Sequence, residues 1–120
     1  MRNKIRVSMN FFLSEFECRC CGRVILDSVL LRKLQKLRDA IKMPIYIISG
    51  YRCEKHNITI KGAEKSQHLL GKAADIHARS YPLGNLLKEA EKIGFGGIGT
   101  YPKGGFLHVD VRKERARWVK

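Results

Sequence analysis

The sequence predicts a single α+β domain, an antiparallel sheet with flanking helices, and three observations predict it. At 120 residues the chain suits one core, since domains cluster near 100–150 residues and two cores would each be short of apolar surface. Two stretches repeat apolar residues at helical spacing while others alternate at period two. Their order along the chain is helix, strand, strand, helix, strand, strand, without an internal repeat or a low-complexity linker, so residues 1–120 read as one domain.

Residues 1–10 carry Arg2, Lys4 and Arg6 and read as a flexible, basic N-terminus. The apolar stretch that follows is broken by Ser14, Glu15 and Glu17, so no signal peptide is expected. Asn10 to Arg23 lacks a sustained period and ends at Gly22. At Asp27 the pattern changes: Asp27 is an N-cap, and Val29, Leu30, Leu34, Leu37 and Ile41 line one helical face that stops before Pro44. Ile45 to Ile48 reads as a short buried strand turning at Gly50, and Tyr51 to Gly71 as a polar loop. Lys72 to Ala78 is strand-like again, with Asp75 and His77 on one face and Ala74 and Ile76 on the other. A second amphipathic helix follows from Pro82 to Ile93, carried by Leu83, Leu86, Leu87, Ala90 and Ile93, with Gly94 as its stop. Residues 96–101 form a strand passing close to other backbone, then a turn over residues 102–105. The last strand, Phe106 to Arg112, puts Leu107, Val109 and Val111 on the core and turns Phe106, His108 and Asp110 toward a cleft.

The formal net charge of +13 implies attraction to a polyanion, with nucleic acid, anionic lipid and acidic wall polymers all eligible. No basic run is interleaved with stacking aromatics, which ranks nucleic acid second. No apolar run approaches the roughly 20 residues that cross a bilayer. Cys18, Cys20, Cys21 and Cys53, with His56 three residues beyond the last, suit a structural zinc site, free thiols or one disulfide.

Catalytic zinc takes three ligands from His, Asp and Glu and keeps one position for water. His68 and Asp75, separated by a short turn with Gly71, and His108 on the last strand form a candidate set. Each has a plainer reading: a surface loop histidine, a capping or paired carboxylate, and for Arg52 a solvated cation among 24 Lys and Arg residues.

The segments Ser49-Gly50-Tyr51-Arg52, Ser66-Gln67-His68-Leu69-Leu70-Gly71-Lys72-Ala73-Ala74-Asp75, Gly97-Ile98-Gly99-Thr100-Tyr101 and Phe106-Leu107-His108-Val109-Asp110-Val111-Arg112, with a late Trp118, closely resemble the zinc D-Ala-D-Ala carboxypeptidases and their murein endopeptidase relatives. The resemblance runs from about Phe12 to Trp118 and implies the fold shared by hedgehog and D-Ala-D-Ala peptidases. It implies a zinc metallopeptidase that cuts peptidoglycan bonds involving D-amino acids, with His68, Asp75 and His108 as zinc ligands. Arg52 resembles the family's arginine that binds a carboxylate or the developing oxyanion, and Ser66 and Tyr101 are expected to touch substrate. The base that relatives carry shortly before the last ligand is replaced here by Gly105 and Phe106. Asp110 is the expected substitute, or else a residue that orients a histidine, with Tyr101 and His77 ranked after it. The resemblance implies one catalytic zinc; a monomer is expected, and the lack of an expected signal peptide suggests that the chain meets the wall after lysis or phage-mediated release. Two other functions remain in view: an inactive zinc-bearing wall-binding module of the same fold, and a basic nucleic-acid-binding protein.

Overall fold

The computed structural model describes residues 3–120. A two-stranded hairpin opens the chain, β1 (Arg6–Ser8) with β2 (Phe11–Phe12). Arg6 to Ser8 thus lie in a strand, within the segment read as a basic N-terminus. A short 3-10 turn over Leu13–Phe16 then leads to helix α1 (Ser28–Ile41). Asp27 caps α1 as expected, accepting from the backbone N–H of Val29 at 2.9 Å and of Leu30 at 3.1 Å. Lys42 ends the helix in the left-handed conformation, φ 55°. The buried stripe is Leu30, Leu34, Leu37 and Ile41; Val29 is exposed.

The main sheet has five strands in the order β3-β4-β6-β5-β7: β3 (Tyr46–Ser49), β4 (Ala73–His77), β5 (Gly97–Tyr101), β6 (Phe106–Asp110) and β7 (Ala116–Val119). Its first three pairings are antiparallel, as the sequence predicts, but β7 joins β5 in parallel. That strand was not anticipated, because residues 112–120 read as a basic segment. β3 is an edge strand and only half buried: Ile47 points inward while Tyr46 and Ile48 are exposed. The polar stretch after Gly50 contains a short helix, α2 (Glu54–Thr59), and a 3-10 turn over Gln67–Leu70. Helix α3 (Leu83–Ile93) ends at Gly94, φ 92°.

Period two sorts the sheet into two faces with different tasks. Ile47, Ala74, Ile76, Ile98, Leu107 and Val109 turn to one side and form a single core with Leu30, Leu34 and Leu37 of α1, Leu86 and Ala90 of α3, and Phe11, Phe16 and Phe95. Both long helices therefore cover one face, and the domain is α+β in two layers. The other face carries the polar residues. In-register partners align Asp75, His108, Gly99 and Trp118 in one row across four strands, and Ala73, Asp110, Gly97 and Ala116 in the next. None of the helices of the described residues is long and apolar enough to cross a membrane.

Candidate metal centre and cleft

Three side chains meet at the middle of the polar face. Asp75 and His108 are direct cross-strand partners on β4 and β6. His68 arrives from the 3-10 turn that precedes β4, whose N-cap is Ser66: the Ser66 hydroxyl accepts from the His68 backbone N–H at 3.2 Å. Gly71 reverses the chain at φ 69°, and a side chain there would strike the Ile25 backbone, so the turn that brings His68 over Asp75 requires glycine.

The ring nitrogens are sorted by their second partners. His68 Nδ1 lies 2.7 Å from the Gly50 carbonyl, which only accepts, so that nitrogen carries the hydrogen and Nε2 is left with its lone pair. His108 Nε2 donates to Asp110 Oδ2 at 2.7 Å, which leaves Nδ1 with its lone pair. Both bare nitrogens face the same oxygen, Asp75 Oδ1, at 3.2 Å from His68 and 3.0 Å from His108. Three buried lone-pair atoms within 4.8 Å of one another repel unless a proton or a cation lies between them. His/His/carboxylate donors of this kind fit Zn²⁺.

The ionisation pattern has the same cause. Burial alone would raise the Asp75 carboxyl, but its contacts with the His108 and His68 rings outweigh it and hold the group well below the usual carboxylate range. Burial would lower His108; hydrogen bonds to Asp110 and Asp75 reverse this and raise it. A proton added at His108 Nδ1 would take the place of a cation between these atoms.

A surrounding layer of contacts fixes these groups. Asp110 is completely buried: besides His108, its carboxylate accepts from Arg112 Nε at 2.9 Å, Arg112 Nη2 at 2.7 Å and the Arg112 backbone at 3.1 Å. Burial opposes its ionisation, but His108 and Arg112 hold it well below the ordinary value. Asp110 was expected to face the cleft; instead it sits behind His108 with its oxygens engaged, away from the cleft lining. Its side chain fills the space over Gly97, where a Cβ would collide with the carboxylate. Gly99 in turn leaves room for the Trp118 indole, whose ring centroid lies 5.1 Å from that of His108. The sequence suggests close backbone at this strand, and a side chain at Gly96 would strike the Arg112 carbonyl, whereas the close neighbours of Gly97 and Gly99 are side chains.

Arg52 is anchored rather than free. Its Nε donates to Ser49 Oγ at 3.3 Å, Nη1 to Asn57 Oδ1 at 3.2 Å, and Nη2 to Asp75 Oδ2 at 3.3 Å. Asp75 thus divides its oxygens, Oδ1 toward the histidines and Oδ2 toward Arg52. Asn57 is buried and also donates to the Ala63 carbonyl at 2.9 Å. Sequence reading missed it, because one asparagine in a polar stretch gives no signal.

The centre opens into a cleft of about 550 Å³. Ser66, Tyr101, Phe106 and Trp118 line it, with Arg52, Lys61, Lys65, Arg112 and Lys120 supplying positive charge. Tyr101 Oη accepts from Trp118 Nε1 at 3.0 Å, and the Tyr101 ring stacks on Phe106 at 4.6 Å. His77 is placed elsewhere, stacked on Tyr46 at the β3 edge. Cys18, Cys21 and Cys53 form a second group of potential ligands outside the cleft, with sulfurs within 4.8 Å of one another.

A two-layer α+β domain with a His/Asp/His group at the floor of a cationic cleft has a candidate metal centre, and comparison with known proteins gives its class. The chain belongs to the Peptidase M15 family, whose model matches residues 9–110. It is 33% identical over 97 residues to the peptidoglycan L,D-endopeptidase MepK of Escherichia coli K12, an alignment covering 75% of this chain and 53% of that protein. Over 94 residues it is 37% identical to a Haemophilus influenzae protein named "Probable peptidoglycan L,D-endopeptidase MepK", covering 72% and 50% respectively. The chain spans about half the length of these curated relatives.

Proposed function

We propose that this chain is a zinc-dependent peptidoglycan peptidase that holds one catalytic Zn²⁺ through His68 Nε2, Asp75 Oδ1 and His108 Nδ1. The observation that carries the reading is the convergence of two ring nitrogens and a carboxylate oxygen at the floor of a cleft. Bound there, zinc supplies a polarised scissile carbonyl and a water acidic enough to attack it near neutral pH. The surrounding residues do the rest. Arg52 holds Asp75 in a one-oxygen geometry through Oδ2, and its charge at the cleft wall stabilises negative charge developing on substrate. Asp110 keeps the His108 hydrogen on Nε2 and acts as a positioning residue, a role it takes in place of proton transfer. Tyr101 already accepts from Trp118, so its own hydrogen is available to a substrate carbonyl or to the leaving amine. Ser66 contributes mainly by holding the His68 turn.

The excess of cations around the cleft suits a peptide bearing carboxylates, as wall stem peptides do. The names of the relatives favour internal cleavage of an L,D bond over removal of a terminal D-Ala. One observation favours a second reading, a wall-binding module without turnover: apart from the three zinc ligands, no carboxylate or imidazole among the described residues lines the cleft.

Digestion of purified peptidoglycan, with and without chelator, decides between them when each new amine is assigned by mass spectrometry. A chelator-sensitive new amine at a D-amino-acid junction is the expected result. Binding to peptidoglycan with no new amine selects the module. Retention of all activity by His68→Ala and His108→Ala would remove the peptidase.

A further inference from the structure

Away from the cleft, the irregular segment after β2 and the chain just beyond Arg52 bring three thiols together. Cys18, Cys21 and Cys53 have sulfurs within 4.8 Å of one another, Cys18 buried and the other two half-buried. Cys18-x2-Cys21-Gly22 has the two-residue spacing of a zinc knuckle, a pattern hidden in the sequence because Cys20 sits between the pair. The backbone is shaped accordingly. The Gly22 N–H donates to the Cys18 carbonyl at 2.9 Å, the Cys18 N–H to the Arg23 carbonyl at 2.7 Å, and Gly22 adopts φ 74°, which favours glycine.

Backbone hydrogens also aim at the sulfurs. The Cys53 N–H points to Cys18 Sγ at 3.4 Å and the His56 N–H to Cys53 Sγ at 3.4 Å. Burial raises the Cys18 thiol, but backbone N–H groups of Cys53, Cys21 and Cys20 outweigh it and bring the group down to about 7. Amide hydrogens directed at Cys18 and Cys53 favour negative charge on the sulfurs, and three sulfurs packed this closely suit a soft dication.

We propose that Cys18, Cys21 and Cys53 bind a second, structural Zn²⁺. Binding forms three Zn–S bonds and releases the thiol protons to solvent. The fourth tetrahedral position falls to water. The site fastens the lead-in segment to residues 50–53, which already touch at two places. The Tyr51 N–H donates to the Phe16 carbonyl at 2.8 Å, and a side chain at Gly50 would lie 2.7 Å from the Phe16 Cα. The same four residues contain the Gly50 carbonyl that orients His68, and Arg52, which holds Asp75. A sulfur-bound ion one residue from Arg52 would lock the wall of the catalytic centre from behind.

The test uses the full chain purified under reducing conditions with zinc. Elemental analysis should give about two equivalents for the parent and about one for His68→Ala, for Cys21→Ser and for Cys53→Ser. Cobalt-substituted parent and His68→Ala should both show near-ultraviolet sulfur-to-cobalt charge-transfer absorption, which a His/Asp/His centre cannot produce, and Cys53→Ser should lose it. Because the parent itself reports the thiolate bands, the result does not depend on any variant folding. Cobalt-loaded parent without those bands overturns the proposal. So does an intact mass lower by two hydrogens, marking a disulfide among these cysteines, in chain that takes up no thiolate-bound cobalt after reduction.

Discussion

Asp110→Asn isolates the contribution of the residue behind His108. The substitution keeps the shape of the side chain but replaces one accepting oxygen with a donating NH₂. Asp110 accepts from His108 and three times from Arg112 within 2.7–3.1 Å, so the amide must turn its donor toward one of them. If the NH₂ faces His108, Nε2 becomes an acceptor and the hydrogen moves to Nδ1, the atom that faces Asp75 and would bind metal. If it faces Arg112, two buried donors confront each other. Loss of such an outer contact costs roughly 10–100-fold in metal affinity, about 1.4–2.7 kcal/mol, and breaking a buried charge pair adds about 3–5 kcal/mol of lost stability. The assay is reactivation of metal-free chain in zinc buffers, read as muropeptide release, with the thermal midpoint measured in parallel. The free-zinc midpoint should rise at least tenfold and the melting temperature should fall. A zinc midpoint within twofold of the parent, with unchanged melting, would refute a positioning role for Asp110.

Three further outcomes follow from the same geometry. Gly99→Ala places a methyl group in the Trp118 indole and should cost about 1–3 kcal/mol, several degrees of thermal midpoint; an unchanged melt would mean the indole does not pack there. Arg52→Lys cannot reproduce simultaneous contacts to Ser49, Asn57 and Asp75 and should reduce kcat/KM about 100-fold, so a loss under threefold contradicts the anchoring argument. For pH, the raised His108 gives the metal-free chain stability that is full below about 6.5 and lost as pH rises through the higher folded value, whereas the depressed Asp75 and Asp110 give stability present above about 4 and lost as pH falls. Zinc replaces the His108 proton, so the melting-temperature gap between zinc-loaded and metal-free chain should widen from pH 6 to pH 8; a narrowing gap would count against the shared position.

The parts of this architecture that were readable from the sequence are those with enough length to show a period. α1 and α3 announce themselves through Leu30, Leu34, Leu37 and Leu86, Ala90, and β4 and β6 through strict alternation around Asp75 and His108. The hairpin of β1 and β2, with three and two residues, is too short for any period to register. α2 has six residues and no apolar stripe, with Ile58 exposed, so it reads as loop. β7 is masked by Arg115, Arg117 and Lys120 and is specified by pairing with β5 rather than by its own composition. The three candidate metal ligands were picked out by a motif that fixes backbone spacing. The tasks of Asp110, Arg52 and Asn57 were not, because each depends on which of several donors lies nearby in the folded chain, and only tertiary geometry chooses among them.

The parallel edge strand also completes the cleft last in chain order. Residues 116–119 supply Trp118, whose indole centroid lies 5.1 Å from that of His108, yet they follow His68, Asp75 and His108 in the chain. The three candidate metal ligands therefore precede, in chain order, the strand that walls one side of their cleft. Shortening the chain before residue 116 should therefore leave the three candidate ligands in place while removing one wall of their cleft.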